Sequence, residues 1–134
     1  MDDIFVGRLM SPGVISVSPD TLVEEAAEIL LERNIGSIVV VDDENQLQGI
    51  MTSTDFVRVV SENTPKDTST VAEHMTTEVV TVTAQDSITD AADKMVTYDI
   101  QHLPVVDPKE GVIGMLSATD LTAYLSGVEE PSPA

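Results

Sequence analysis

Apolar and polar residues are arranged along the chain in a pattern that predicts short strands and amphipathic helices. Leu22, Ala26 and Leu30 recur at helical spacing. Two β-branched or apolar runs that follow are separated by polar turn residues, as expected for a pair of strands. The first half therefore predicts the order strand, helix, strand, strand, helix, at residues 14–17, 22–33, 37–42, 47–52 and 53–62.

The second half of the chain repeats the first. Residues 8–56 reappear as residues 73–121, at a constant offset of 65. A repeat of this length predicts two copies of one supersecondary unit that bury apolar faces against each other. The predicted organisation is a first repeat at 1–62, a linker at 63–70, a second repeat at 71–126 and a flexible tail at 127–134. The elements of the second repeat are predicted at 79–82, 87–97, 103–107, 112–117 and 118–126.

Capping boxes are predicted at the first helix of each repeat. Thr21 is followed three residues later by Glu24, and Ser87 is followed by Asp90. In such pairs the hydroxyl accepts a hydrogen bond from the first helical turn, and the acid reaches back to the cap.

Charge is the outstanding feature of the composition. The 24 acidic residues against 6 basic ones give a net charge of −18. No basic stripe exists to neutralise phosphates, which argues against nucleic acid and anionic membrane as partners. Because the acids are scattered along a globular pattern, we expect a halophilic, acidic protein of a high-salt cytoplasm, where salt screens the repulsion.

Catalytic and metal-binding patterns are absent from the sequence. It has no cysteine and two histidines, and it lacks Walker, nucleophile-elbow and paired-histidine motifs. The acidic run at 42–45 lacks the spacing of a calcium loop. No apolar run approaches the roughly 18 residues of a membrane helix. We therefore expect a cytoplasmic protein that is not an enzyme, with no catalytic residue, no catalytic cofactor and no metal site.

The strongest motif closes both repeats. Residues 49–55 and 114–120 share a glycine, two apolar residues, a hydroxyl residue, one variable position, and then threonine and aspartate. Met10 and Met75, each followed by a hydroxyl residue, stand near the two starts, and an acid–hydroxyl–apolar triplet precedes each first helix. Together, over about residues 6–126, these motifs resemble the CBS-domain pair.

The resemblance implies an α/β (α+β) fold, in which tandem β-α-β-β-α CBS repeats pack through their sheets with pseudo-twofold symmetry, a Bateman module. It implies a stand-alone regulatory module that senses an adenosine derivative: AMP, ADP, ATP with Mg²⁺, or S-adenosylmethionine. It also implies a homodimer formed through the helices. Since the chain contains no output domain of its own, a signal would pass to an effector protein that the sequence does not identify.

The closing motifs supply groups suited to a nucleotide. At the turn from strand to helix, backbone N–H groups and the helix dipole favour phosphate. Carboxylates one turn later can accept hydrogen bonds from a ribose diol. The ribose candidates are Asp55 and Asp120, and the phosphate candidates are Thr52, Thr54, Arg58, Ser117, Thr119 and His102.

The same residues have a purely structural interpretation. Thr52 with Asp55, and Ser117 with Asp120, have the spacing of capping boxes, in which the acid bonds its own helix start. Spacing alone favours this capping role, whereas recurrence in both repeats together with the resemblance favours a ligand in at least one cleft. The alternative function is a dimerising structural module whose clefts are vestigial.

An adenine slot is implied by the resemblance. It would combine the first strand of a repeat with the segment before its middle strand. For the apolar members, plain core packing is the competing interpretation. The candidates are Ser16, Val17, Gly36, Ser37 and Ile38 in the first repeat, and Thr81, Val82, Gln101 and Leu103 in the second.

The two clefts differ in charge. Arg58 follows Asp55 by one helical turn, whereas Ala123 occupies the equivalent place after Asp120. If each cleft combines the aspartate of one repeat with the middle strand of the other, as in the family, His102 joins Asp55 and Arg58. The Asp55 cleft is then the better phosphate site, and the Asp120 cleft is empty, holds a neutral nucleoside or prefers cationic S-adenosylmethionine.

Overall fold

The first repeat folds into the predicted order of elements, the second does so without its first strand, and an unpredicted helical turn comes before the first-strand segment of each. The computed structural model describes residues 4–63, 65 and 67–127. Its elements are α1 (Val6–Leu9), β1 (Ser16–Val17), α2 (Val23–Arg33), β2 (Ser37–Val41), β3 (Leu47–Thr52), α3 (Ser53–Ser61), a 3₁₀ turn (Val71–Glu73), α4 (Ile88–Tyr98), β4 (His102–Asp107), β5 (Gly111–Ser117) and α5 (Ala118–Leu125). None of the described helices is long and apolar enough to cross a membrane.

The chain divides into two compact units that exchange their opening segments. The inner unit is Ile15–Val79, and the outer unit joins the residues up to Val14 to those from Val80 onward. Thus α1 precedes the first repeat in sequence but belongs with the second. Thr64 and Lys66 of the predicted linker, and residues 128–134 of the predicted tail, lie outside the described residues.

Backbone hydrogen bonds fix each exchanged segment to a strand. In the outer unit, Ser11 and Met115 exchange N–H···O bonds of 2.8 and 3.0 Å. In the inner unit, Thr76 and Ile50 exchange bonds of 3.0 and 2.9 Å. Ser11 and Thr76 occupy equivalent positions in the two repeats, so the same device is built twice.

The inner unit contains a three-stranded sheet in the order β1-β2-β3. β1 runs parallel to β2, and β2 pairs antiparallel with β3 in a register that places Ser37 opposite Thr52. The outer unit contains the antiparallel pair β4-β5, in which His102 lies opposite Ser117. The hairpins therefore present equivalent residues at the turn into α3 and α5.

The strand predicted at 79–82 is wrong, since only Val82 pairs there, in an isolated parallel bridge with Val105. Val82 donates to the carbonyl of Pro104 at 3.1 Å and accepts from Val106 at 2.9 Å. Pro104 has no backbone N–H that could donate a further hydrogen bond to the predicted strand, whereas the inner unit has Val39 at that position. The missing donor explains why the second repeat has a single bridge.

A separate apolar core fills each unit, and the exchanged segments contribute to both. Val71 lies in the inner core, and Val6 and Leu9 lie in the outer core. The remaining buried members are Val17, Val23, Ala26, Leu30, Ile38, Val40, Met51 and Val59 in the inner unit, and Val82, Ile88, Ala91, Met95, Leu103, Val105 and Leu116 in the outer unit.

Of the two capping boxes predicted for the first helices, only the N-cap bond of Ser87 is confirmed. Ser87 is the N-cap of α4, and its side chain accepts a hydrogen bond from the N–H of Asp90. The box between Thr21 and Glu24 is wrong, because the N-cap of α2 is Leu22, which has no side-chain cap. The 65-residue offset aligns Leu22 with Ser87, so the hydroxyl of Thr21 stands one residue too early and bonds Ser18 instead.

Two methionines lie directly over strand glycines. A Cβ added to Gly49 would stand 2.5 Å from the Sδ of Met75 and 2.9 Å from the carbonyl oxygen of Thr76. At Gly114 the three nearest atoms all belong to the Met10 side chain, the shortest distance being 2.5 Å to its Sδ. A thioether chain can move aside, whereas the Thr76 carbonyl is held by its bond to Ile50.

We expect Gly49→Ala to lower the free energy of unfolding by about 1–3 kcal/mol, and Gly114→Ala to lower it by less. Denaturant unfolding of the two variants beside the wild-type protein measures the difference. Equal losses at the two glycines would contradict the role given to the Thr76 carbonyl.

Candidate functional site

The candidate site in each unit is the turn from a strand into the following helix. The capping boxes predicted at both turns are confirmed. Oδ2 of Asp55 accepts a hydrogen bond from the N–H of Thr52 at 2.9 Å, and Oδ2 of Asp120 accepts one from the N–H of Ser117 at 2.9 Å. The structural role of both aspartates is therefore present, whatever else they bind.

One N–H group at each turn is left over. The first helical N–H of α3, from Ser53, donates to Gly36 at 3.2 Å, and that of Asp55 donates to the cap. In α5, Ala118 donates to Gln101 at 2.9 Å and Asp120 to Ser117 at 3.1 Å. The N–H groups of Thr54 and Thr119 lie between these donors in the first helical turns and make none of these bonds. Both threonine side chains are exposed.

Asp55 is the centre of the inner site. Its side chain is only 4% exposed, and its Oδ1 accepts from Arg58 at 3.2 Å. The Thr76 hydroxyl, 3.3 and 3.4 Å from the two carboxylate oxygens, completes the set. Thr76 was missed by the sequence analysis as a site residue, although the hydroxyl after each early methionine was the signal for it.

Ser37 lies beside this centre without a partner of its own. It is the register partner of Thr52, so the two side chains leave the same face of the sheet. Ser37 is 4% exposed, and its buried Oγ has no hydrogen-bond partner in the described part of the chain. Buried hydroxyls are normally bonded, so this atom is a vacant donor and acceptor within the inner site.

The outer site has Asp120 and His102. Asp120 is buried, and His102 lies on the neighbouring strand opposite Ser117. Burial lowers the pKa of His102, and the Asp120 carboxylate offsets part of that lowering. His102 therefore has an acidic neighbour within its own unit, while its predicted association with Asp55 and Arg58 stays a prediction.

The residues predicted for the adenine slot fall into two groups. Val17, Ile38, Val82 and Leu103 belong to the buried cores, as the competing interpretation expected. Ser16 is exposed in β1, and the carbonyls of Gly36 and Gln101 are used by the turns described above.

Thr81 has a neighbour that the sequence analysis missed. Its carbonyl accepts a hydrogen bond from Nζ of Lys94 at 2.9 Å. Lys94 lies on α4, and the equivalent residue of the first repeat is Ile29. The contact joins residues far apart in sequence, so no local pattern could have indicated it.

Among the described residues, no three histidine, aspartate or glutamate side chains come together as a metal-binding group. What the two turns offer instead is a fixed carboxylate, hydroxyls and an unused N–H at a helix start. Such groups bind polar ligands with hydroxyl and anionic parts.

We expect the stability of the protein to depend on pH through His102. Because the pKa of His102 is lower in the folded state than its ordinary 6.5, the unfolded chain gains the proton first as pH falls. The free energy of unfolding should drop from about pH 7 through the folded pKa and lose nothing more below it. Unfolding of wild type and His102→Gln at several pH values measures this, and a pH-independent difference between them would contradict it.

Comparison with known proteins gives the family. The family model of the CBS domain matches residues 6–62 and 71–127. An uncharacterized 17.7 kDa protein of Acidianus ambivalens is 36% identical over 123 residues, which are 92% of this chain and 74% of that protein. A homoserine O-acetyltransferase of Methanococcus vannielii is 33% identical over 91% of this chain, which spans only 25% of the length of that protein.

Solved structures agree with the fold. The CBS domain pair of protein MJ0100, in complex with 5′-methylthioadenosine and S-adenosyl-L-methionine, superposes with a TM-score of 0.86 at 30% identity, covering 94% of this chain and 98% of that one. CBSX2 in complex with AMP gives a TM-score of 0.84 at 26% identity, with coverage of 94% and 98%. Since the family model matches both repeats, this chain belongs to the CBS domain family.

Proposed function

We propose that this chain is a regulatory module that binds an adenosine-containing ligand at its strand-to-helix turns and transmits the binding to an effector protein. The observation that carries the proposal is the buried Asp55 carboxylate beside an unused helix N–H, a cation and an orphaned hydroxyl. Its relatives in the family support the ligand class, because solved CBS pairs hold 5′-methylthioadenosine, S-adenosyl-L-methionine or AMP.

The ribose would bind to Asp55 and Asp120. The cap bond on Oδ2 fixes each carboxylate in place. At Asp55 the longest contacts are those of the Thr76 hydroxyl, at 3.3 and 3.4 Å, and a ribose diol would bind by replacing them. Preorganisation of this kind lowers the cost of binding, so the structural and ligand roles are compatible.

A phosphate would bind at the helix starts. The N–H groups and exposed hydroxyls of Thr54 and Thr119 stand where the helix dipole favours an anion. Thr52, Ser117, Arg58 and His102 are the further phosphate candidates. With a net charge of −18, the protein would repel a polyphosphate, so ADP or ATP would enter with Mg²⁺.

The adenine would lie against the first strand and the segment before the middle strand of each repeat. The side chains of Val17, Ile38, Val82 and Leu103 are committed to the cores, so their contribution would come from backbone groups.

The proposed role is regulatory and without catalysis, because the candidate residues of the two turns are binding groups and include no activated nucleophile.

A ligand regulates only through its different affinity for two conformations, typically about 1–3 kcal/mol of coupling. The chain spans about a quarter of the length of the matched acetyltransferase. The second candidate function is a structural module, favoured by the complete capping boxes, which account for both aspartates without any ligand.

Ligand binding is tested by thermal unfolding in molar KCl, with AMP, ADP, ATP with Mg²⁺, and S-adenosylmethionine. A ligand at 100 times its dissociation constant should add about 2.7 kcal/mol of stability. Asp55→Asn and Asp120→Asn keep one oxygen for the cap but lose acceptor capacity, so we expect a smaller ligand shift, measured against the ligand-free form of the same variant. Asp55→Asn also loses its ion pair with Arg58 and should lower the stability of the free protein. Exposed Asp90→Asn is the matched control.

The result separates the two candidate functions. A shift lost in one asparagine variant assigns the ligand to that turn. If no ligand shifts the wild-type protein, the structural module stands and the proposal fails.

A homodimer is part of the proposal. Four large apolar side chains are exposed at equivalent positions of the two repeats: Leu31 (84%) with Val96 (82%), and Val60 (80%) with Leu125 (72%). Exposed apolar side chains on a helix favour contact with another molecule. Val60 lies on α3, where Val57 is also 66% exposed, and Leu125 lies on α5.

We expect the wild-type protein to have the mass of a dimer by light scattering in molar KCl. Val60→Arg combined with Leu125→Arg should give the mass of a monomer, since buried unpaired charge is costly at an interface. The matched variant on the other helices, Leu31→Arg with Val96→Arg, should remain dimeric. A wild-type monomer, or a dimer unaffected by the α3 and α5 changes, would contradict this surface.

A further inference from the structure

We infer that the two strand-to-helix turns sort adenosine ligands by charge, with the Asp55 turn taking a phosphate-bearing ligand and the Asp120 turn an uncharged one. The inference rests on the proposed function and deepens it. It depends on two positions at which the repeats differ, Ser37 against His102 and Arg58 against Ala123.

Arg58 makes the Asp55 turn tolerant of an anion. Its guanidinium lies 3.2 Å from Oδ1 of the buried Asp55 carboxylate, and 57% of its side chain remains exposed. A guanidinium has five N–H donors, and one contact with Asp55 leaves others directed to solvent. The ion pair also offsets the charge of Asp55, which would otherwise repel a phosphate.

The outer unit has a methyl group at the equivalent position, Ala123. An anion placed at the start of α5 would gain no hydrogen-bond donor and no positive charge from this position. Lys94 is the cation of α4, but its Nζ is bound to the Thr81 carbonyl, in the segment proposed for adenine and not at the start of α5. The divergence therefore changes the charge of the helix start specifically.

Ser37 is the second and independent observation. Its buried Oγ lacks a partner in the described structure and lies on the same sheet face as Thr52, the cap of α3. A buried hydroxyl without a partner costs stability unless a ligand atom satisfies it. His102 replaces it in the outer unit, so a hydroxyl that can donate to a phosphate oxygen is present at one turn and a larger ring at the other.

The test compares AMP with 5′-methylthioadenosine, which share adenosine but differ in charge, by calorimetry at one fixed KCl concentration. We expect Arg58→Ala to weaken AMP binding tenfold or more and to leave 5′-methylthioadenosine binding within twofold. Ala123→Arg should raise the number of AMP sites from one to two. In the variant that carries both changes, we expect a single AMP site in the outer unit. Adding Asp120→Asn to that variant should abolish AMP binding, which would assign the site to the Asp120 turn.

Ser37→Ala distinguishes a ligand-binding role of the hydroxyl from a structural one. We expect weaker AMP binding with unchanged or higher stability of the free protein, because the hydroxyl bonds nothing there. Equal AMP affinity in wild type and Arg58→Ala, or two equal AMP sites in the wild type, would overturn the sorting. Failure of both ligands to bind the wild-type protein would instead overturn the proposed function.

Discussion

The buried carboxylate at the start of α3 and of α5 is the group on which each unit depends. In the inner unit Asp55 contacts the end of β3 through Thr52, its own helix through Arg58, and the exchanged segment through Thr76. A buried charge is tolerated only when it is paired and hydrogen-bonded. These bonds therefore join the end of β3, the first turns of α3 and the exchanged segment, whose Thr76 lies 21 residues further along the chain, around one carboxylate.

The exchanged segments depend on the same arrangement. Each carries a helical turn whose apolar residues enter the core of the unit, followed by a methionine that lies over a strand glycine. The glycine is required there for space, since a methyl group would meet the thioether or the backbone. The closing motif thus begins with a glycine for packing and ends with an aspartate for capping, and both requirements come from the fold.

The sequence was informative wherever the signal was local. The hairpin strands and the helices α3 and α5 were predicted to within a residue or two, because alternation, turn residues and the glycine-to-aspartate motif all lie within a short window. The predictions failed where the deciding contact was distant. α1 and the 3₁₀ turn are too short to show periodicity, and the absent strand at 79–82 is explained by Pro104, a residue more than twenty positions away.

The candidate site shows the same division. Asp55, Asp120 and the hydroxyl residues of the turns were identified from spacing, whereas Thr76 and Lys94 meet their partners only through tertiary structure. Four apolar candidates for the adenine slot proved to be core residues. An apolar residue in a strand carries no sign of which face of the sheet it occupies when both faces are buried.

Duplication gives this chain an internal reference for separating fold from function. Positions that must be the same for the unit to form, such as the cap aspartates and the glycines under methionine, are the same in both repeats, and their recurrence cannot by itself indicate a ligand. Ser37 against His102, and Arg58 against Ala123, differ although the surrounding backbone register is shared. The fold does not require these differences, which lie at the polar end of a strand and in the first turns of a helix. At such positions two copies of one unit can acquire different ligands.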